Sequence, residues 1–186
     1  MEIDNPKKTQ PDIYNQLVNA LAEDRCMAMV GAGSSMRMGY PSWNGLLELL
    51  SAQAAKIDSS RKDELSSLLQ DDPLVCADII KAILGPGEYY SQLEKIFGPL
   101  TPEYDIFHEL IVRLPFTHFL TTNYDRILQV AHEKCVADQY VELDLEDHQK
   151  DGNLFDIICS NSAKRHFIHT HGSITNPQNM VLALED

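Results

Sequence analysis

Three short polar segments carry the residue types that chemistry requires. They are Gly31-Ala32-Gly33-Ser34-Ser35, Thr121-Thr122-Asn123-Tyr124-Asp125 and His171-Gly172-Ser173. In the first, small side chains let the backbone approach a ligand, and the N–H groups that open a following helix favour phosphate. Ser35 and the amides of Ala32 to Ser34 are the candidate phosphate donors. In the second, Asn123 offers one donor and one acceptor group, suited to a water or a sugar hydroxyl. The charge of Asp125 would favour a cation that develops nearby. In the third, His171 has the side chain type that titrates near ~6.5 and can act as a base at neutral pH.

Each segment also has a plain reading. Glycine is the default residue of any tight turn, Asn or Asp after a strand commonly caps a helix, and a histidine on a turn is often structural. The pattern GxGxxG is incomplete, since Gly31 and Gly33 are followed by Met36, and no P-loop lysine follows. His169 and His171 alternate as in a strand and could suggest a metal pair, but no third ligand has convincing spacing. Trp43 reads as a core or lid residue.

The elements that must position these residues follow from hydrophobic spacing. The apolar run Cys26 to Val30 reads as a buried parallel strand that feeds the glycine segment. Phe116 to Thr122 reads as a second strand, Tyr140 to Leu145 as a third and Phe167 to Thr170 as another. Helical spacing occurs after Asp12, a candidate cap, with Ile13, Leu17, Val18 and Leu21 on one face, and again from Trp43 to Ala54. The stretches 62–69, 74–84, 89–97, 104–114 and 126–133 also read as helices. Turns are expected at Asp71-Asp72-Pro73, Gly85-Pro86-Gly87 and Asp147 to Gly152. The type of the run Phe155 to Cys159 is undecided.

The expectation is an α/β fold, a Rossmann-like, mainly parallel sheet with a helical insertion at about 55–114 after the first strand, loop and helix. The three polar segments then lie at carboxyl ends of strands, where open parallel sheets bind ligands. That shared position says more than any one motif. It predicts that the segment Gly31 to Ser35, Asn123 and His171 line one cleft.

Composition narrows the class. The 186 residues hold 15 Lys and Arg against 28 Asp and Glu, a net charge of −13. That sign argues against direct binding to nucleic acid or to anionic membranes. No run approaches the ~20 apolar residues of a membrane span, and the polar N-terminus lacks a signal peptide's apolar core. Cys26, Cys76, Cys135 and Cys159 form no CxxC pair, so neither a zinc ribbon nor another metal site is expected. Cys26 and Cys159 read as buried free thiols, and the compartment as cytoplasmic.

The segment GAGSSMRMGYPSWNG resembles the sirtuin signature of Gly-Ala-Gly, a Ser two residues on, then Ser-Gly-Ile-Pro-x-Phe-Arg-Gly. Gly31, Ala32, Gly33, Ser35, Gly39, Pro41 and Gly45 match, and Trp43 stands at the aromatic position. TTNYD resembles the family's Gln-Asn-Ile-Asp through Asn123 and Asp125, and His171-Gly172 resembles its catalytic His-Gly pair. The likeness runs from about residue 25 to 175. It is closer to the sirtuin-like domains of bacterial anti-phage defence proteins, where TTNYD and Pro-Ser-Trp are usual. Three departures from the protein deacetylases agree with this: no zinc ribbon cysteines, Thr122 in place of the Gln, and Asn44 in place of the Arg.

The resemblance implies NAD as substrate, hydrolysed to nicotinamide and ADP-ribose or a cyclic isomer, to starve an infected cell. It implies Asn123 and His171 as catalytic residues, with Gly31, Ala32, Gly33, Ser34, Ser35 and Asp125 holding NAD, Asp125 by accepting from the nicotinamide amide. The alternatives are a non-catalytic module for NAD or ADP-ribose and an NAD-dependent protein deacylase. The family's Gly-Thr/Ser loop for the adenosine ribose does not follow Ser173. The chain is therefore expected to be one domain, residues 1–186, incomplete at its C-terminal end and weakly active by itself. A further effector or sensor domain, a partner protein or a homo-oligomer would fit that expectation.

Overall fold

A computed structural model describes residues 5–23, 26–98, 102–144 and 164–182. Its centre is a four-stranded, wholly parallel sheet in the order β1-β2-β4-β3. The strands are β1 (Met27–Val30), β2 (His118–Thr121), β3 (Tyr140–Asp144) and β4 (Arg165–His169). Val30, Thr121, His169 and Asp144 are register partners in one row, so all four strands reach the same edge together. The architecture is α/β and Rossmann-like, with helices inserted between β1 and β2.

Alternation along the strands puts Ala28, Val30, Phe119 and Phe167 on one face. Against it pack α7 (Ile106–Arg113) and α8 (Ile127–Cys135), through Val112, Leu128 and Ala131. Phe119 and Phe167 stack at 4.8 Å across neighbouring strands. Asp105 starts α7 with a capping box, its carboxylate accepting from the amides of Phe107 and His108.

A second core forms among α4 (Trp43–Ile57), α5 (Lys62–Asp71) and α6 (Pro73–Phe97). Leu47, Leu50, Leu65, Ile80 and Leu93 are fully buried in it. This block also packs on Tyr124, Ile174, Met180 and Leu182, which follow β2 and β4. The helical block therefore covers the carboxyl edge of the sheet.

Several expectations change. The glycine segment is itself a one-turn helix, α3 (Ala32–Met36), rather than a loop. The N-terminal helices are α1 (Pro6–Thr9) and α2 (Pro11–Ala22), and α2 begins with proline at its first position, so Asp12 lies in the first turn and is not its cap. The apolar stripe of α2 is exposed at Ile13, Leu17 and Val18, and so are Met27 and Met29 on β1. The helices expected at 74–84 and 89–97 are one element, kinked at Gly85 (φ 69°) ahead of Pro86. β4 starts two residues earlier than its apolar run, at Arg165.

Cys26 is half-buried rather than buried, and Cys159 lies outside the described residues, as do the turn at 147–152 and the run 155–159. Among the described residues, no three His, Cys, Asp or Glu gather as a metal site. No described helix is long and apolar enough to cross a membrane.

Candidate active site

A cavity of about 250 Å³ opens where the three polar segments meet the helical block. Ala32 and Ser35 of α3, Thr122, Asn123 and Asp125 after β2, and His171 after β4 supply its polar wall. Tyr40, Trp43, Leu46, Phe97 and Tyr124 supply its apolar wall. Gly31, Gly33 and Ser34, expected in the same cleft, are not part of the lining.

The polar wall is built around Asn123, which is 8% exposed. Its Nδ2 donates to the carbonyl of Gly31 (3.2 Å), to Ser34 Oγ (3.1 Å) and to Ser35 Oγ (2.8 Å). The amide group is thus spent on α3, and Asn123 caps no helix. Its Oδ1 is buried and has no hydrogen-bond partner among the described residues. A buried acceptor without a donor is costly, so this atom is the site's open valence.

Donor and acceptor roles continue outward from there. Ser34 Oγ donates to Gly31 O (2.9 Å), so its hydroxyl is used within the turn. The Ser34 amide is also turned to Gly31 O (3.1 Å), which leaves the amides of Ala32 and Gly33 as the candidate phosphate donors. Ser35 accepts from Asn123, so its own O–H is the donor it can offer to the cavity. Asp125 both caps a helix start and faces the cavity. Oδ1 accepts the Ile127 amide at the start of α8 (3.0 Å), while the residue lines the cavity at 5% exposure.

The His171 turn is fastened to the same frame. Thr170 N–H donates to Thr121 O (2.8 Å), Ile174 N–H to Tyr124 O (2.8 Å) and Val181 N–H to His171 O (2.9 Å). Gly172 has φ 75°, and a Cβ there would lie 2.1 Å from Asn179 O. Only glycine fits this position. His171 itself is exposed at the cavity rim, whereas His169 is fully buried, so the two do not form a metal pair.

The aromatic wall is the part that sequence reading missed. Tyr40 stacks on Phe97 (5.8 Å between centroids), and Phe97 meets Tyr124 edge-on at 5.3 Å. Burial, and then the Asp125 charge, push the Tyr40 hydroxyl above its ordinary pKa. Burial does the same to Tyr124, whose hydroxyl donates to Val181 O (2.6 Å). Tyr124 stood within a motif already singled out. Phe97, at the end of α6, had no local signal to mark it.

Residues 117–186 match the family model described as a SIR2-like domain. The part of the sheet from β2 onward, with the Asn123 and His171 segments, is thus similar to that family. The chain is 27% identical over 168 residues to the NAD(+) hydrolase ThsA of Bacillus cereus (strain MSX-D12), covering 88% of this chain and 31% of that protein. It is also 27% identical over 139 residues to the NAD(+) hydrolase ThsA of Cytobacillus dafuensis, covering 75% of this chain and 25% of that protein. The chain thus spans less than a third of the length of these relatives. The family-model match begins at the residue before β2, so it includes Asn123, Asp125 and His171 but not the α3 segment.

Proposed function

We propose that this chain is the catalytic domain of an NAD glycohydrolase that cleaves NAD to nicotinamide and ADP-ribose. The observation that carries the reading is the orphaned Oδ1 of Asn123. With its amide nitrogen held by α3, Asn123 can only accept a hydrogen bond from whatever enters the cavity. A water or ribose hydroxyl is such a donor. The names of the two relatives support the same substrate.

The cavity volume fits part of a dinucleotide. At about 250 Å³ it lies just under the ~300–1,000 Å³ usual for pockets that enclose a drug-sized ligand. It suits the nicotinamide–ribose half, with the phosphates toward α3. The planar ring lies against the aromatic wall, and Asp125 accepts from the carboxamide N–H. Water donates one hydrogen to Asn123 Oδ1 and attacks C1′ of the ribose. The new C–O bond forms as the C1′–N bond breaks, and the electron pair returns to the pyridinium, which leaves as neutral nicotinamide. His171 accepts the proton of the attacking oxygen, and the Asp125 carboxylate stabilises the cationic sugar. Attack by a ribose hydroxyl in place of water would give a cyclic isomer.

We place this activity in the bacterial cytoplasm, in anti-phage defence, under the control of a further domain or partner. The motifs TTNYD and Pro-Ser-Trp support that placement. Nicotinamide release from NAD tests the chemistry, in the chain together with whatever its reading frame carries after residue 186. His171→Ala should lower the rate by the ~10²–10⁴-fold typical of general acid–base catalysis. NAD that binds without nicotinamide release under any trigger would favour a binding module instead.

A further inference from the structure

We propose that His169, which lies outside the cavity wall, is the positioning residue for Asn123. This rests on the reading of Asn123 as the group that holds the attacking oxygen. Asn123 is fixed at three points, and only one of them depends on another element's side chain at its backbone carbonyl. Its side chain binds α3, its N–H donates to Thr121 Oγ1 (3.0 Å), and its C=O lies 2.8 Å from His169 Nδ1. A carbonyl can only accept, so Nδ1 carries the hydrogen.

That assignment fixes the rest of the ring. Nε2 must then be an acceptor, and the side-chain amide nitrogen of Gln129 lies 2.5 Å from it. Gln129 stands on α8 and is itself buried. Glu142 of β3 stands 3.6 Å from the same nitrogen and pairs with Arg126 (3.0 Å), the residue after Asp125. The imidazole is fully buried, with both nitrogens occupied, on the face of the sheet toward α8. It ties the peptide of Asn123 to two neighbouring elements. Without that tie the carbonyl loses its partner, and Oδ1 loses the fixed direction the reaction needs.

Two amide substitutions separate this role from simple packing. Asn places its amide nitrogen where Nδ1 stands, keeping the bond to Asn123. Gln places its amide where Nε2 stands, keeping only the link to Gln129. The experiment measures nicotinamide release and the Asn123 side-chain amide resonance in the parent, His169→Asn and His169→Gln, with Asn123→Ala used to assign the resonance. His169→Asn should stay within about threefold of the parent. His169→Gln should lose kcat by ~10²-fold with KM little changed, the scale expected of a misplaced catalytic group. Its Asn123 resonance should shift or broaden, while that of His169→Asn stays in place.

A packing role predicts the reverse ranking, because Asn leaves the larger void. Equal losses in the two variants, a better His169→Gln, or a resonance unmoved in both would overturn the positioning role. A parent that releases no nicotinamide, while the resonance still separates the two variants, would remove the hydrolase reading and leave the positioning role standing.

Discussion

The layer beneath the sheet and the layer at its carboxyl edge are both buried, yet they are built on opposite terms. Beneath the sheet, Phe119 and Phe167 stack among the apolar side chains of Ala28, Leu128 and Ala131. At the edge, Ser34, Ser35, Asn123 and Asp125 are buried as well, each with a named hydrogen-bond partner. Burying such groups is expensive unless they are paired. One atom in the edge layer, Asn123 Oδ1, is left without a partner among the described residues. The apolar layer contributes stability, whereas the edge layer gives some up by leaving one buried acceptor unpaired. Substitutions in the first should therefore be read in melting curves, and substitutions in the second in turnover.

Phe119→Ala should have the largest effect on the apolar side. It removes a fully buried ring from its stack on Phe167 and its edge-on contact with Phe116, and should cost about 3–5 kcal/mol. Chemical denaturation would measure it, and the folded fraction should keep its turnover. A comparable loss of turnover per folded molecule would break the division between the layers.

Gly172→Ala, at the carboxyl edge, should show in both measurements at once. The left-handed φ costs a non-glycine residue about 1–3 kcal/mol, and the collision with Asn179 O requires the His171 turn to move. Stability and nicotinamide release should fall together. A variant that melts early but turns over normally would show that the His171 position is uncritical.

A smaller effect depends on pH. His132 is fully buried against Phe167 and Tyr140, and neither ring nitrogen has a hydrogen-bond partner among the described residues. Burial, then the Arg165 charge, lower its pKa, against the opposing charges of Asp138 and Glu133. The unfolded chain therefore takes up this proton near ~6.5, and the folded chain only at lower pH. Stability from this residue is complete above that value and is lost as pH falls from there through the lower folded pKa. Melting midpoints between pH 7.5 and 5 should fall less steeply in His132→Leu than in the parent. Parallel slopes would remove His132 as the cause.

The smallest change is a gain. Ala137 ends α8 with φ 62° and donates its N–H to His132 O, a position that glycine occupies without strain. Ala137→Gly should raise stability by about 1 kcal/mol and leave turnover unchanged. A loss of stability would mean that the helix end relaxes differently.

The same contrast explains what the sequence made legible. β1 and β2 are short apolar runs ended by Gly31 and Asn123, so both strands and the loops after them could be read directly. The shared edge followed from the rule for parallel sheets. The register shows it in the row Val30, Thr121, His169 and Asp144. Arg165 and His166 hid the start of β4, because neither is a typical strand residue although His166 is buried. The aromatic wall was not legible. Phe97 reaches the cavity through the packing of α6, a contact with no period or motif behind it. Nor could the sequence tell His169 from His171. They are two residues apart, and only the tertiary partners show that one is enclosed and the other open.

Nicotinamide release by the parent and by Asn123→Ala tests the central claim most directly. Both proteins are assayed with NAD, and a melting curve confirms that the variant is folded. Three hydrogen bonds are lost with the side chain, so its midpoint should fall somewhat, while Ser34 and Ser35 remain free to bond elsewhere. The account predicts release by the parent and none above background by the folded variant. Equal rates from the two would contradict it.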